Sequence, residues 1–96
     1  LLPLVRERAM ALELGGHHLR DLLPRRLFGL DPELFRHDGR RRTPDHNFCV
    51  SSPRALGWAA ESAAAFYAAY PEAEVYHLWP DDLRAGGWCR CAACAR

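Results

Sequence analysis

The chain has 96 residues, 13 Lys+Arg against 12 Asp+Glu and a formal net charge of +1, with 49% hydrophobic and 26% charged residues. That mix excludes a disordered or collagen-like chain, and the near-zero charge excludes a polycation held to nucleic acid or membrane by bulk charge alone. The length supports one small domain, because a chain of this size buries only roughly 60–65% of its unfolded surface.

No apolar run approaches the ~20 residues of a membrane span. Arg6, Glu7, Arg8 and Glu13 break up the N-terminal apolar stretch, so no signal peptide is visible. Residue 1 is Leu, and the last residue, Arg96, lies two positions beyond Cys94, so a piece of something larger is expected. All 13 cations are arginine. Arginine-only usage suits bidentate anion recognition, but fifteen alanines accompany it, and coding bias raises both together.

Residues 1–9 read as the end of a helix. Residues 11–14 read as a short strand stopped by Gly15-Gly16, since glycine pairs punctuate elements. Between Leu19 and His46, Pro24, Gly29, Pro32, Gly39 and Pro44 recur too often for a long helix, leaving short helical turns near Leu22 and at residues 32–35. Residues 47–50 form a second strand candidate. Ser52 is a good N-cap and Pro53 suits the first helical position. Leu56, Ala60, Ala63, Tyr67 and Tyr70 then mark one helical face, and Pro71 ends it. Residues 74–79 follow as a strand, with Val75, His77 and Trp79 on one side.

Strand, helix, strand over residues 47–79 reads as a βαβ unit with parallel strands and a right-handed crossover. Ligands in such sheets bind at the carboxyl edge. That topology places Cys49-Val50-Ser51 near Trp79-Pro80-Asp81-Asp82.

Three of the four cysteines crowd into Cys89-Arg90-Cys91-Ala92-Ala93-Cys94. Two thiolates spaced as in Cys91-x-x-Cys94 can reach one tetrahedral centre, Cys89 adds a third, and the βαβ reading brings in Cys49 as a fourth. Four soft ligands suit a closed structural zinc site. A disulfide within the cluster, or free thiols in a loop, are the alternatives.

Asp81-Asp82 follows a predicted strand. Paired carboxylates can do acid/base work where their surroundings separate their pKa values, although adjacent aspartates are also common turn formers. Trp79 offers an apolar wall or a platform for a sugar ring. His17, after Gly15-Gly16, can bond a hydroxyl or carry a proton. His77 reads as a packed strand residue, Arg40-Arg41-Arg42 as a solvated run, and His37 and His46 receive no role.

In order along the chain stand Gly15-Gly16-His17, Leu22-Leu23-Pro24, Asp31-Pro32-Glu33-Leu34-Phe35, Asp38-Gly39-Arg40, Phe48-Cys49-Val50-Ser51-Ser52-Pro53, Trp79-Pro80-Asp81-Asp82 and Gly87-Trp88-Cys89-Arg90-Cys91-Ala92-Ala93-Cys94. Together these pieces, over residues 10–96, resemble the bacterial domain-of-unknown-function family 4838. That family is similar to the catalytic barrels of glycoside hydrolases, especially α-glucuronidase and β-hexosaminidase relatives. Residues 18–21 depart from its pattern, which more often carries an aromatic residue and another histidine.

The resemblance implies an α/β fold: residues 1–96 would be a fragment of a larger (β/α)8 barrel domain, with about three parallel strands. It also implies hydrolysis of glycosidic bonds by carboxylates. Of Asp81 and Asp82, one would protonate the leaving oxygen and the other orient a substrate acetamido group; His17 would contact sugar hydroxyls. The expected partners are a carbohydrate and the rest of the barrel, with no nucleic acid and no membrane. A non-catalytic carbohydrate-binding barrel and a small zinc-binding structural or interaction module are the competing readings. Since such a barrel takes about 250 residues, the chain alone is expected to expose sheet edges and to be unstable or inactive.

Overall fold

The computed structural model describes residues 2–84 and 86–96. Its elements run α1 (Leu2–Glu7), β1 (Glu13–Gly16), three 3-10 turns (Leu19–Leu22, Arg25–Gly29, Pro32–Leu34), β2 (Phe35–His37), β3 (Arg42–Phe48), α2 (Pro53–Ala69) and β4 (Val75–Leu78). No helix among the described residues is long and apolar enough to cross a membrane.

The strands form two separate pairs. β1 lies parallel to β4, with Glu13 facing Val75 and Gly16 facing Leu78. β2 and β3 form an antiparallel hairpin. This corrects the expected barrel fragment with about three parallel strands: the described residues contain one parallel pair, and β3 belongs to the other sheet. The βαβ unit expected over residues 47–79 is therefore absent as a parallel pair. Its first strand is the end of a longer antiparallel strand, and the parallel partner of β4 is β1.

The reason lies in the turn before β3. Asp38 Oδ1 accepts the amides of Arg40 and Arg41 (2.8 and 3.0 Å), Gly39 takes φ +108°, and Asp38 N donates to Arg41 O (3.0 Å). An aspartate that bonds the following amides and a glycine at positive φ reverse the chain tightly. β3 thus starts at Arg42, and its polar first half, Arg42-Thr43-Pro44-Asp45-His46, carries no apolar alternation by which a strand is recognised.

Hairpin register jumps within three residues. Arg36 faces Thr43, whereas Phe35 faces Phe48. The residues between them on β3 form an irregular arch, and His46 sits at φ +61°. Pro44 has no amide proton to offer a ladder, which favours such an irregularity.

α2 starts as its residues dictate. Ser52 Oγ accepts the Ala55 amide (3.2 Å), and Pro53 occupies the first turn. Its buried face is offset from the expected one. Ala55 and Ala59 are buried, and Ala63 packs against the same cluster, while Leu56 is exposed. Small alanines let the helix sit close to Leu22, Leu23, Leu34, Phe35 and Phe48, which complete the core. Tyr67 and Phe66 instead cluster with Tyr76 of β4, at 4.5 and 5.6 Å between ring centroids.

β1 and β4 approach through glycine. Gly15 has φ +118°, and a Cβ there would fall on the carbonyl oxygen of His77. Gly15→Ala is expected to cost at least about 2 kcal/mol, from backbone strain plus collision. Gly29→Ala, at a site with open space, should be close to neutral. Urea denaturation of both variants checks this; equal midpoints would contradict the packing argument.

Candidate metal centre

The hairpin and the C-terminal stretch meet at the four cysteines. Cys49 follows β3 directly, and its amide donates to Leu34 O (3.0 Å). Residues 89–94 come alongside because Arg90 N donates to His37 O (2.7 Å), extending the hairpin by one contact. Ala95 N closes a turn on Cys91 O (2.9 Å). The thiols of Cys49, Cys89, Cys91 and Cys94 then lie within 4.8 Å of one another.

All four are free thiols. Cys49 Sγ is 3.9 Å from Cys91 Sγ and 3.7 Å from Cys94 Sγ. A tetrahedral centre with sulfur ligands at about 2.3 Å requires sulfurs about 3.8 Å apart. The four cysteines can hold a metal ion at this spacing. Cys49 and Cys89 are buried, and Cys91 and Cys94 are part-exposed, so the site is closed on the core side.

Donors already surround the sulfurs. His37 N donates to Cys89 Sγ (3.3 Å), and the Arg42 guanidinium lies 3.6 Å from the same sulfur. Arg42 also bonds Phe35 O (2.9 Å) and Glu33 (3.0 Å). The last residue of the expected solvated Arg40-Arg41-Arg42 run is thus a prop of the cluster. Burial pushes the Cys49 thiol up to about 12 and raises Cys89 for the same reason. Hydrogen bonding from the Cys94 amide brings Cys91 down to about 6.

The other sequence-predicted residues gather at the ends of β1 and β4. His17 and Trp79 meet edge to face with ring centroids 5.4 Å apart, and His17 Nδ1 bonds Pro80 O (2.6 Å). Trp79 is half exposed. His77 is a strand residue paired to Glu13 at 2.9 Å.

Asp81 and Asp82 part company. The Asp81 side chain is 12% exposed and holds Arg20 (3.2 Å) and His46 (3.3 Å) on one oxygen. Its own amide donates to Asn47 Oδ1 (2.8 Å). Asp82 is exposed. The β3 residues that meet Asp81 are His46 and Asn47, in the arch of β3, whereas the expected Cys49 and Ser51 contact Cys91 and Cys94.

Sequence reasoning missed three residues here. Fully buried Asn47 bonds Asp81 and also donates to Gly86 O (3.3 Å) and Gly87 O (3.2 Å). His46 and Arg20 complete the network. The available signal was His46-Asn47 lying between two prolines' worth of irregular chain and an apolar Phe48-Cys49, where a polar pair has no reason to be buried unless it is bonded.

Comparison with known proteins found no matching family model, no matching curated protein and no matching solved structure.

The thiol chemistry sets an order of reactivity. Thiolates alkylate and thiols do not. In metal-free protein at pH 7, Cys91, already largely ionised, is expected to react with iodoacetamide before Cys49, which burial keeps protonated. Peptide mass mapping over time checks this; Cys49 reacting first would contradict it.

Proposed function

We propose that the four cysteines form a structural zinc centre, and that the chain is a zinc-stabilised module. The observation that carries this reading is the convergence of four thiols, from two distant stretches, to within 4.8 Å of one another, with Cys49 at tetrahedral spacing from Cys91 and Cys94. Sulfur-only coordination favours zinc, and a four-ligand site leaves no open position for catalysis at the metal. Its role is mechanical: it ties the end of β3 to residues 89–94.

Zinc requires thiolates. Cys49 and Cys89 lose protons on binding, so affinity falls as pH falls. The purified protein is expected to contain one zinc per chain. Apparent binding free energies of structural zinc are about 10–16 kcal/mol, comparable with a whole domain's stability. Cys49→Ser, or chelation, should therefore lower the melting temperature sharply or unfold the hairpin. A stoichiometric disulfide with no zinc in protein prepared without reductant would overturn the proposal.

A separate observation favours a second reading, in keeping with the resemblance to family 4838. His17 and a half-exposed Trp79 form a ring-lined corner beside Asp81-Asp82. An exposed indole suits a sugar face, and carboxylates beside it suit acid/base hydrolysis of a glycosidic bond. Here Asp82, exposed, is the carboxylate open to a substrate. Asp81, held by Arg20, His46 and Asn47, is the orienting partner. Turnover of aryl glycosides is the readout, and Asp82→Asn should reduce it by at least about 100-fold. Full activity in both Asp81→Asn and Asp82→Asn, or no turnover by the parent protein, would remove the catalytic assignment.

A further inference from the structure

The β3 arch and the C-terminal stretch enclose a cleft of ≈ 510 Å³ that neither the zinc centre nor the Trp79 corner uses. That volume is in the range of small-molecule sites, about 300–1,000 Å³. Its lining mixes two chemistries. Trp88 and Leu83, 41% and 37% exposed, are its large apolar members. Arg36, Arg90, His46 and Asp38 are its polar ones.

His46 is held there at a cost. A non-glycine residue at φ +61° occupies a sparsely populated conformation. It persists because Nδ1 is bonded to the nearly buried Asp81 (3.3 Å) while Gly87 packs against its Cβ. A Cβ at Gly87, itself at φ +62°, would come within 3.2 Å of the His46 Cβ. A carboxylate accepts hydrogen bonds, so Nδ1 carries the hydrogen and Nε2 is left as an acceptor at the cleft. Strain of this kind persists where surrounding structure enforces it, and it collects at binding sites.

The guanidinium groups keep donors to spare. Among the described residues the Arg90 guanidinium donates once, to Asp38 O at 3.4 Å. Arg36 spans the arch with two long contacts to Asp45, at 3.3 and 3.4 Å. Each guanidinium offers five N–H groups. The acid on the cleft wall, Asp38, already accepts two amides of its own turn. Asp45 likewise accepts the Thr43 hydroxyl.

We propose that this cleft binds a small ring-bearing organic anion, its ring on Trp88 and Leu83 and its carboxylate or phosphate on the guanidinium groups of Arg90 and Arg36, with the His46 ring beside it. An inorganic anion would leave Trp88 and Leu83 uncovered, and a neutral ring would leave the guanidinium donors unused. The zinc reading is not needed for it, because none of the four thiols lines the cleft.

Benzoate and phenyl phosphate are the probes, titrated into the purified protein while the Trp88 indole and His46 ring signals are followed by NMR. Benzyl alcohol and inorganic phosphate are the controls, and zinc content and circular dichroism are checked throughout. At least one ring-bearing anion should saturate both signals at millimolar concentration or below, about tenfold or more tighter than either control. The tighter of the two identifies carboxylate or phosphate as the preferred group. Arg90→Gln and Trp88→Ala should each weaken binding by about tenfold or more. If Arg90→Gln disturbs the neighbouring cysteines, Trp88→Ala alone decides. No shift at Trp88 and His46 with either anion, equal binding of benzyl alcohol or inorganic phosphate, or binding that survives Trp88→Ala would overturn the proposal.

Discussion

Four sulfurs within 4.8 Å of one another are the constraint on which the rest of this structure depends. Two of them are buried, and burial alone would keep them as neutral thiols. Neutral thiols make weak hydrogen bonds and give little reason for two stretches some 40 residues apart to meet. A divalent metal would supply that reason: it would convert thiols into thiolates, and the Cys89 sulfur already has a backbone amide and an arginine nearby to share the resulting charge. The apolar core is small: Leu22, Leu23, Leu34, Phe35, Phe48, Ala55 and Ala59. Domains of this size commonly need a staple to supplement such a core. The molecule is also extended, at 53 × 28 × 22 Å with a radius of gyration of 16.0 Å, against about 13 Å for a compact chain of this length. Fewer residues therefore share any one core, and each cross-link between distant stretches counts for more.

The hairpin is what makes the cross-link possible. β2 offers His37 O to Arg90 N and His37 N to Cys89 Sγ. β3 ends in Phe48, which anchors the core, and passes at once to Cys49. Between these points the arch turns Asn47 and His46 toward the chain after β4. Asn47 then bonds three backbone groups, at Asp81, Gly86 and Gly87, and is left with no exposed polar atom to solvate. A fully bonded buried amide fixes one arrangement of the loops it joins. So the end of this strand meets the C-terminal stretch twice, at the Cys49 sulfur just beyond it and at the Asn47 amide.

How much of this was legible depended on whether local chemistry or long-range pairing decided each feature. The cap of α2 is local: Ser52 and Pro53 define it, and the structure has the bond they imply. The turn at residues 32–35 was readable for the same reason. The buried face of α2 was not, because the core accepts alanine at positions 55 and 59 and leaves Leu56 outside. Hydrophobic periodicity weights the larger residue and so rotated the face. The hairpin was hidden by its polar first part, which is tied down by guanidinium and carboxylate contacts and shows no apolar alternation. Strand pairing is the least local feature of all. A strand, a helix and a strand in succession favour a parallel unit, yet β4 pairs with β1 across nearly the whole chain. The four cysteines were legible as a set, although the parallel pairing that was to bring Cys49 in did not form.

The acidic pair shows why residue type alone left the site half read. Asp81 and Asp82 are adjacent and chemically identical, and nothing in their order distinguishes them. In the fold, one is surrounded and the other faces solvent. Asp81 gathers Arg20 from the turn after β1, His46 from the arch and Asn47 through its amide, so three separate parts of the chain converge on one residue. Replacing it would release a guanidinium, an imidazole and an amide together, and partners of a buried network are not separable contributions. Asp82 carries no such load, which leaves it available for chemistry. Asp81 owes its position to the arch in β3, and the arch to Pro44 and the register jump at Phe35. The residues that decide what this carboxylate can do thus lie more than thirty positions before it, in a stretch that reads as irregular until the hairpin closes.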